Sequence, residues 1–218
     1  MRKQKLILTI LLVAILMASV VSFSAAEAKL YIPVISKGFQ HQFWLAVKAG
    51  AEQAAKDLDV TITFEGPENE SMVDKQMDML QVAIDKNPAA ICFAAVDSKA
   101  AIPLLQQAKE KGIPVIGFDS GVDSDIPLST AATDNVAAAA LAADKMVELI
   151  GGAGQVAIIA HDQTSRTGID RVKGFTDRVA EKYPNVTIVA TLPEKQTKSI
   201  AFLKVSGRPT ASITTFTP

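Results

Sequence analysis

The sequence predicts a doubly wound α/β sandwich, a parallel sheet covered by helices on both faces, and three observations carry that prediction. Short apolar runs recur along the chain. Each is followed by a stretch with apolar residues at helical spacing, and the runs are apolar on both faces instead of alternating with polar residues. Strands of that kind need burial on both sides, and right-handed crossovers then place helices above and below the sheet. The 218 residues, 49% hydrophobic and 21% charged, have the balance of a globular chain, sized for one large domain or two small ones.

Residues 1–28 stand outside the alternation. Arg2, Lys3 and Lys5 precede an apolar run from Leu6 to Val21, and the segment then turns small and polar before Ala26-Glu27-Ala28. This three-part plan is that of a secretory signal peptide, with cleavage expected after Ala28 in preference to an uncleaved anchor. No cysteine follows the run, so no lipid anchor is expected. Without Arg2, Lys3, Lys5 and Glu27, 19 basic and 22 acidic residues remain. The expected product is an exported, freely soluble, mildly acidic protein.

The elements follow in order. Leu30–Ile35 reads as a strand, and Phe43, Val47, Ala51, Ala54, Ala55 and Leu58 mark the first helix. Thr61–Phe64 is the next strand. The helix after it, over residues 71–86, is expected to open with a Ser71-x-x-Asp74 cap and to carry Met72, Met79, Leu80 and Ala83 on one face. Ala90–Ala95 leads to a helix over 98–111, and Val115–Phe118 leads through a loop to one over 135–150, with Asp134 and Asn135 as caps. Val156–Ala160, a helix over about 167–182 and Thr187–Ala190 close the series.

Composition narrows the chemistry. With 22 Lys plus Arg against 23 Asp plus Glu there is no basic stripe to neutralise a phosphate backbone, so nucleic acid is not an expected partner. Cys92 is the single cysteine and His41 and His161 the two histidines, which leaves no cysteine-rich metal site and no disulfide within the chain. No cofactor or metal is expected. His161, Asp162 and Ser165 have the residue types of a hydrolase triad, but neighbours on one short loop do not form one without a nucleophile elbow. Gly151-Gly152-Ala153-Gly154 precedes a strand, whereas a phosphate-cradling loop follows one, so it reads as a turn.

In a doubly wound sheet the ligand lies outside the carboxyl ends of the strands. The loops there include Ser36–Trp44, Gly66–Asn69, Asp97-Ser98, Asp119-Ser120-Gly121, Thr133-Asp134-Asn135 and His161–Arg166. Carboxylates, amides, hydroxyls, arginines and two aromatics dominate them. A polyhydroxylated ligand needs that mixture, with polar groups for vicinal hydroxyls and flat rings for the C–H face of a sugar.

Five segments, in order, carry a resemblance: the signal peptide, Gln42-Phe43-Trp44, Gly112–Asp119, Thr133-Asp134-Asn135 and Arg171-Val172-Lys173-Gly174-Phe175. From about Leu30 to Thr191 the chain resembles the ribose-type periplasmic sugar-binding proteins of ABC importers. The resemblance implies two α/β lobes that close on a monosaccharide or polyol, no catalysis, a periplasmic location and delivery to an ABC permease in the inner membrane. An exported sensory protein serving a chemoreceptor or sensor kinase is the alternative. The effector domain of a lactose-repressor-type factor shares the fold but needs an N-terminal helix-turn-helix, and the signal peptide argues against it.

The resemblance also implies residue roles. His41 stands at a polar ligand position, Phe43 and Trp44 where two aromatics sandwich the sugar, and Asp119 where a carboxylate accepts two sugar hydroxyls. Thr133 matches a hydroxyl at the first crossover, and Arg171 the arginine that reaches in from the second lobe. Arg166, in the loop after Val156–Ala160, is also a ligand candidate, as is Ser120, which stands where the ribose binders have an arginine and points to a different sugar. By the same resemblance residues 29–133 form an N-terminal lobe, 134–193 part of a C-terminal lobe and 194–218 a divergent tail. Eight of the last 23 residues are Ser or Thr and none is acidic. The expectation is a second lobe left incomplete by truncation or frameshift, with a tail of little fixed structure.

Overall fold

The computed structural model describes residues 29–193 and the backbone of a strand over Ser212–Thr215. The expected signal peptide over 1–28 and most of the expected tail lie outside the described residues. The elements are β1 (Tyr31–Ile35), α1 (Gln42–Asp57), β2 (Thr61–Glu65), α2 (Val73–Asp85), β3 (Ile91–Phe93), α3 (Ile102–Glu110), β4 (Val115–Phe118), β5 (Ser129–Ala131), α4 (Asn135–Leu149), β6 (Gly154–Ala160), α5 (Arg166–Lys182), β7 (Val186–Pro193) and β8 (Ser212–Thr215).

Two parallel sheets form, one per lobe. The first runs β2-β1-β3-β4-β5 and the second β7-β6-β8. In the first, the chain winds outward from β1 in one direction to β2 and in the other to β3, so the loops after β1 and β3 diverge and leave a crevice between them. Ile35, Ile91, Phe93 and Val115 are buried with Leu80 and Ile84 of α2 and Leu105 of α3. In the second lobe Val156 and Ile158 pack with Ala139 and Ala143 of α4 and Phe175 and Val179 of α5. Cys92 on β3 is half-buried, and burial pushes its thiol up.

A buried amide fixes the crevice. Gln76, fully enclosed in the apolar stripe of α2, donates through Nε2 to the carbonyls of Ser36 at 2.9 Å and Ala94 at 2.8 Å, while its Oε1 accepts from the Val96 N–H at 2.9 Å. These groups lie past the ends of β1 and β3, where the ladder stops. An apolar residue at 76 would leave them orphaned, at about 1–3 kcal/mol for each buried group.

Several expectations are corrected. Ser71 does not cap α2: the N-cap is Met72 with no side-chain bond, and the Ser71 hydroxyl and N–H both turn to Asn69 Oδ1. The helix expected from 98 begins at Ile102, because Asp97 Oδ1 accepts from the N–H groups of Lys99 and Ala100 and holds that segment in a turn. Strand β5 carries no apolar signal, since all three of its residues are exposed at the sheet edge. Within the tail, expected to have little fixed structure, the described segment Ser212–Thr215 runs parallel to β6, in keeping with its β-branched Ile-Thr-Thr run. Asp134 does cap α4, accepting from the Ala137 N–H at 2.9 Å, and Gly151, Gly152 and Gly154, all at positive φ, form the turn into β6.

Candidate sugar-binding cleft

The site grows from the carboxyl ends of β1 and β4. After Ile35 the chain enters Ser36-Lys37-Gly38, and the Ser36 hydroxyl donates to the Gly38 carbonyl at 2.5 Å, closing a tight turn. That turn sends Lys37 inward, where it is only 4% exposed. Its ammonium lies 3.1 Å from Glu70 Oε2, 3.3 Å from Asp119 Oδ2 and 3.1 Å from the Thr167 hydroxyl of α5. It also sits 5.9 Å from the centre of the Trp44 ring. A buried ammonium is tolerated only when neutralised and hydrogen-bonded, and here two carboxylates and a hydroxyl do both.

Asp119 follows β4 with φ 54°, a left-handed conformation that aspartate tolerates better than most residues and that aims its carboxylate back over the strand ends. Burial pushes its carboxyl up, the Lys37 charge pulls it back, and Glu70 pushes it up again. Oδ2 is near Lys37 without the alignment of a hydrogen bond, so one buried lone-pair site stays open. Burial also opposes ionisation of Glu70. The His161 hydrogen bond, the Lys37 charge and the Trp44 hydrogen bond together outweigh it and bring that carboxyl down to about 2.

A cleft of about 640 Å³ opens beside Asp119, walled by Phe43, Phe118, Thr133, Asn135 and Arg171. Arg171 reaches it from α5, its Nε donating to Asn135 Oδ1 at 2.8 Å. A second cleft of about 610 Å³ lies between Glu70 and Val96 on one lobe and His161, Asp162 and Thr164 on the other. Direct bonds join the lobes around these clefts: Glu70 to His161 at 3.1 Å, Lys37 to Thr167, the Ser98 N–H to the Thr164 carbonyl at 2.9 Å and Arg166 to Asp123 at 3.2 Å.

Of the residues singled out from sequence, Phe43, Asp119, Thr133 and Arg171 meet on the first cleft. The others do not. Trp44, expected to stack on the sugar, is 2% exposed; it meets Phe43 and Phe118 edge-on and donates its indole N–H to Glu70 Oε1 at 2.8 Å. Adjacent helical residues point about 100° apart, so when Phe43 faces the cleft Trp44 must face the core. His41 is exposed and serves as the N-cap of α1, its Nδ1 accepting from the Phe43 N–H. Ser120 is fully buried with its hydroxyl unpartnered, and Arg166 is held by Asp123 and Asp170.

Lys37, Glu70, Phe118 and Asn135 join the site without having been singled out. Lys37 had one usable signal, a lysine two residues past the end of a strand apolar on both faces. Glu70 had none, as its partners come from the loop after β1, the first turn of α1 and the loop after β6.

Residues 32–206 match the family model described as the periplasmic binding protein domain. The D-allose-binding periplasmic protein of Escherichia coli is 29% identical over 186 residues, covering 82% of this chain and 58% of that protein. A carbohydrate-transporter solute-binding protein from Agrobacterium radiobacter, solved with D-arabinose, is 34% identical with a TM-score of 0.74, covering 77% of this chain and 58% of its own. A counterpart from Agrobacterium vitis with bound D-fucose is also 34% identical, with a TM-score of 0.71, over 75% of this chain and 57% of that one. The chain thus spans somewhat under 60% of the length of these relatives. With the family model matched over most of its length and its strand-end loops gathered on one polar, aromatic-walled crevice, the chain belongs to the periplasmic binding protein family.

Proposed function

We propose that this chain binds a neutral monosaccharide or related polyol in the Asp119 cleft, as the solute-binding component of an ABC importer that delivers the sugar to an inner-membrane permease. The observation that carries this reading is the joint placement of the Phe43 ring, the half-open Asp119 carboxylate and the Arg171 guanidinium on one cleft of about 640 Å³, with groups from both lobes. A ring face, an acceptor for paired hydroxyls and a planar donor are what a pyranose or furanose presents partners for. The charges around the cleft balance: Lys37 and Arg171 stand against Glu70 and Asp119. A ligand with a net charge would upset that balance, and a neutral one does not. One of the relatives named above is called a D-allose-binding protein and the two solved structures hold D-arabinose and D-fucose, all neutral sugars. The sequence plan of residues 1–28 supports export, with cleavage after Ala28 and a periplasmic product.

The test is a thermal-shift screen against monosaccharides and polyols, followed by calorimetry on any hit. A sugar at about 100 times its Kd should stabilise the protein by about 2.7 kcal/mol. Asp119→Asn should weaken binding about 100-fold or more, because a hydrogen bond to a charged acceptor is worth about 1.5–3 kcal/mol and the carboxylate accepts two. Phe43→Ala should lower affinity less while leaving the fold intact, since Phe43 is already 36% exposed. Hits confined to amino acids or purines, with no response to sugars, would overturn the reading.

A further inference from the structure

The Asp119 cleft has two unlike ends. Its polar groups gather where the lobes meet: Asp119 follows β4, Thr133 and Asn135 lie in the crossover and at the start of α4, and Arg171 reaches in from α5. Arg171 Nε donates to Asn135 Oδ1 at 2.8 Å, and Asn135 Nδ2 donates to the Thr133 carbonyl at 3.0 Å. Among the described residues that wall the cleft, the side-chain donors left for a ligand are therefore the terminal Arg171 nitrogens and the Thr133 hydroxyl, with the Asp119 carboxylate as the charged acceptor beside them. Ser120, the neighbour of Asp119, adds nothing, because it is fully buried and does not wall the cleft.

The other end offers no polar side chain. Helix α1 leaves the carboxyl end of β1 and runs back along the sheet, so Val47, one turn past Phe43, stands about 6 Å farther from the lobe junction than Phe43 does. Phe118 meets Trp44 of α1 edge-on at 6.4 Å, which puts its side chain on the face of β4 that α1 covers. Ala131 is its partner in register on β5, so the two side chains share that face. Val47, Phe118, Ala131 and Ala132 thus make a floor of methyl and ring carbons at the end of the cleft away from Arg171.

We infer, in a step that rests on the sugar reading above, that the preferred ligand is an aldose without an exocyclic hydroxymethyl group, a pentopyranose or a 6-deoxyhexose, held with its C5 edge against Val47, Phe118 and Ala131. A carboxylate accepts from two vicinal hydroxyls, and a planar guanidinium donates to the same pair, so Asp119 and Arg171 together take one edge of the ring. When that edge is the C2 and C3 hydroxyls, the opposite edge is C5 and the ring oxygen, and it faces the apolar floor. A hydroxyl carried there leaves water without gaining a side-chain partner, and an apolar wall rejects an added hydroxyl by up to about a hundredfold. A methyl group at the same place buries one more carbon, which favours binding by about fourfold.

Calorimetry of the full chain with matched sugars is the test. L-Arabinose, D-fucose and D-galactose share one arrangement of ring hydroxyls and differ only at C5, which bears hydrogen, methyl or hydroxymethyl. D-Xylose, D-quinovose and D-glucose form a second such set, and D-ribose, 6-deoxy-D-allose and D-allose a third. In whichever set binds, the methyl sugar should bind about tenfold to a hundredfold more tightly than its hydroxymethyl counterpart, with the pentose between them. Ala131→Ser, at an exposed position, and Val47→Thr, an exchange of nearly equal size at a half-buried one, each place a hydroxyl at the apolar end. Both should narrow the gap by gaining affinity for the hydroxymethyl sugar. A gap below about tenfold in the parent, or one that neither variant narrows, overturns the inference and leaves the sugar reading standing. No binding in any set overturns both. If Val47→Thr does not fold, the parent series and Ala131→Ser decide the matter.

Discussion

Gly174→Ala is expected to destabilise the protein by about 3 kcal/mol or more, although alanine is the better helix former. A Cβ at Gly174 would sit 2.2 Å from the Val136 carbonyl oxygen and 2.8 Å from its carbonyl carbon and Cα. All three are backbone atoms in the first turn of α4, so no rotamer change makes room. Either α4 or α5 must shift, and the shift opens the contact that buries Ala139, Ala143, Phe175 and Val179. Overpacking of a core costs about 1–3 kcal/mol where side chains can yield, and a backbone collision belongs at or above the top of that range. For a chain of this size each kcal/mol moves Tm by about 2–4 °C. Gly50 provides the control, because it lies on an exposed part of α1 with nothing within 4 Å of its Cβ position. Gly50→Ala should therefore stabilise by roughly 0.5–1 kcal/mol. Urea denaturation of both variants checks the pair, and a Gly174→Ala protein as stable as the parent would show that the helices do not approach this closely.

The same glycine shows what a sequence can and cannot disclose. It was visible as part of Arg171–Phe175, but its cause is a backbone from another helix, and no local pattern carries that. The alternation of strands and helices was legible because it is written in periodicity: Ile91-Cys92-Phe93 and Val156–Ala160 are apolar throughout, and sheets buried on both faces demand such runs. Strand β5 leaves no such trace for the complementary reason, since an exposed edge strand of three residues needs no apolar side chain. The loops that form the site were legible from topology alone. Their internal division of labour was not. Phe43 and Trp44 read as an equivalent pair, and the helix geometry splits them into one cleft residue and one core residue. Lys37 read as one polar residue among several, because lysine is ordinarily a surface residue and its burial depends on Glu70, Asp119 and Thr167 arriving together.

Lys37→Met tests that burial directly and is expected to cost about 3–5 kcal/mol at neutral pH. Methionine nearly matches the length of the lysine stem, so the packing against Trp44 is retained and the main loss is the charge. Glu70 and Asp119 then face each other in a buried site without their shared cation, and removing one partner of a buried ion pair costs far more than the intact pair contributes. Glu70 retains His161 and Trp44. Asp119 retains less, so it is the group expected to take up a proton. The pH dependence follows from that assignment. Burial already raises the Asp119 carboxyl, and loss of the Lys37 charge, the strongest effect lowering it, raises it further. A folded-state value raised above the unfolded one favours folding below the unfolded value, near 3.9, and that benefit is lost as pH rises through the folded value. Lys37→Met should therefore look worst at neutral pH and recover part of its deficit in acid. Adding Asp119→Asn to Lys37→Met should restore part of the loss at neutral pH, because both ends of the pair are then gone. Denaturation of the two variants at pH 7 and pH 5 measures all of this. A loss below about 1 kcal/mol in Lys37→Met, the same at both pH values, would mean that the ammonium is solvated and that the lobes meet through something other than this cluster.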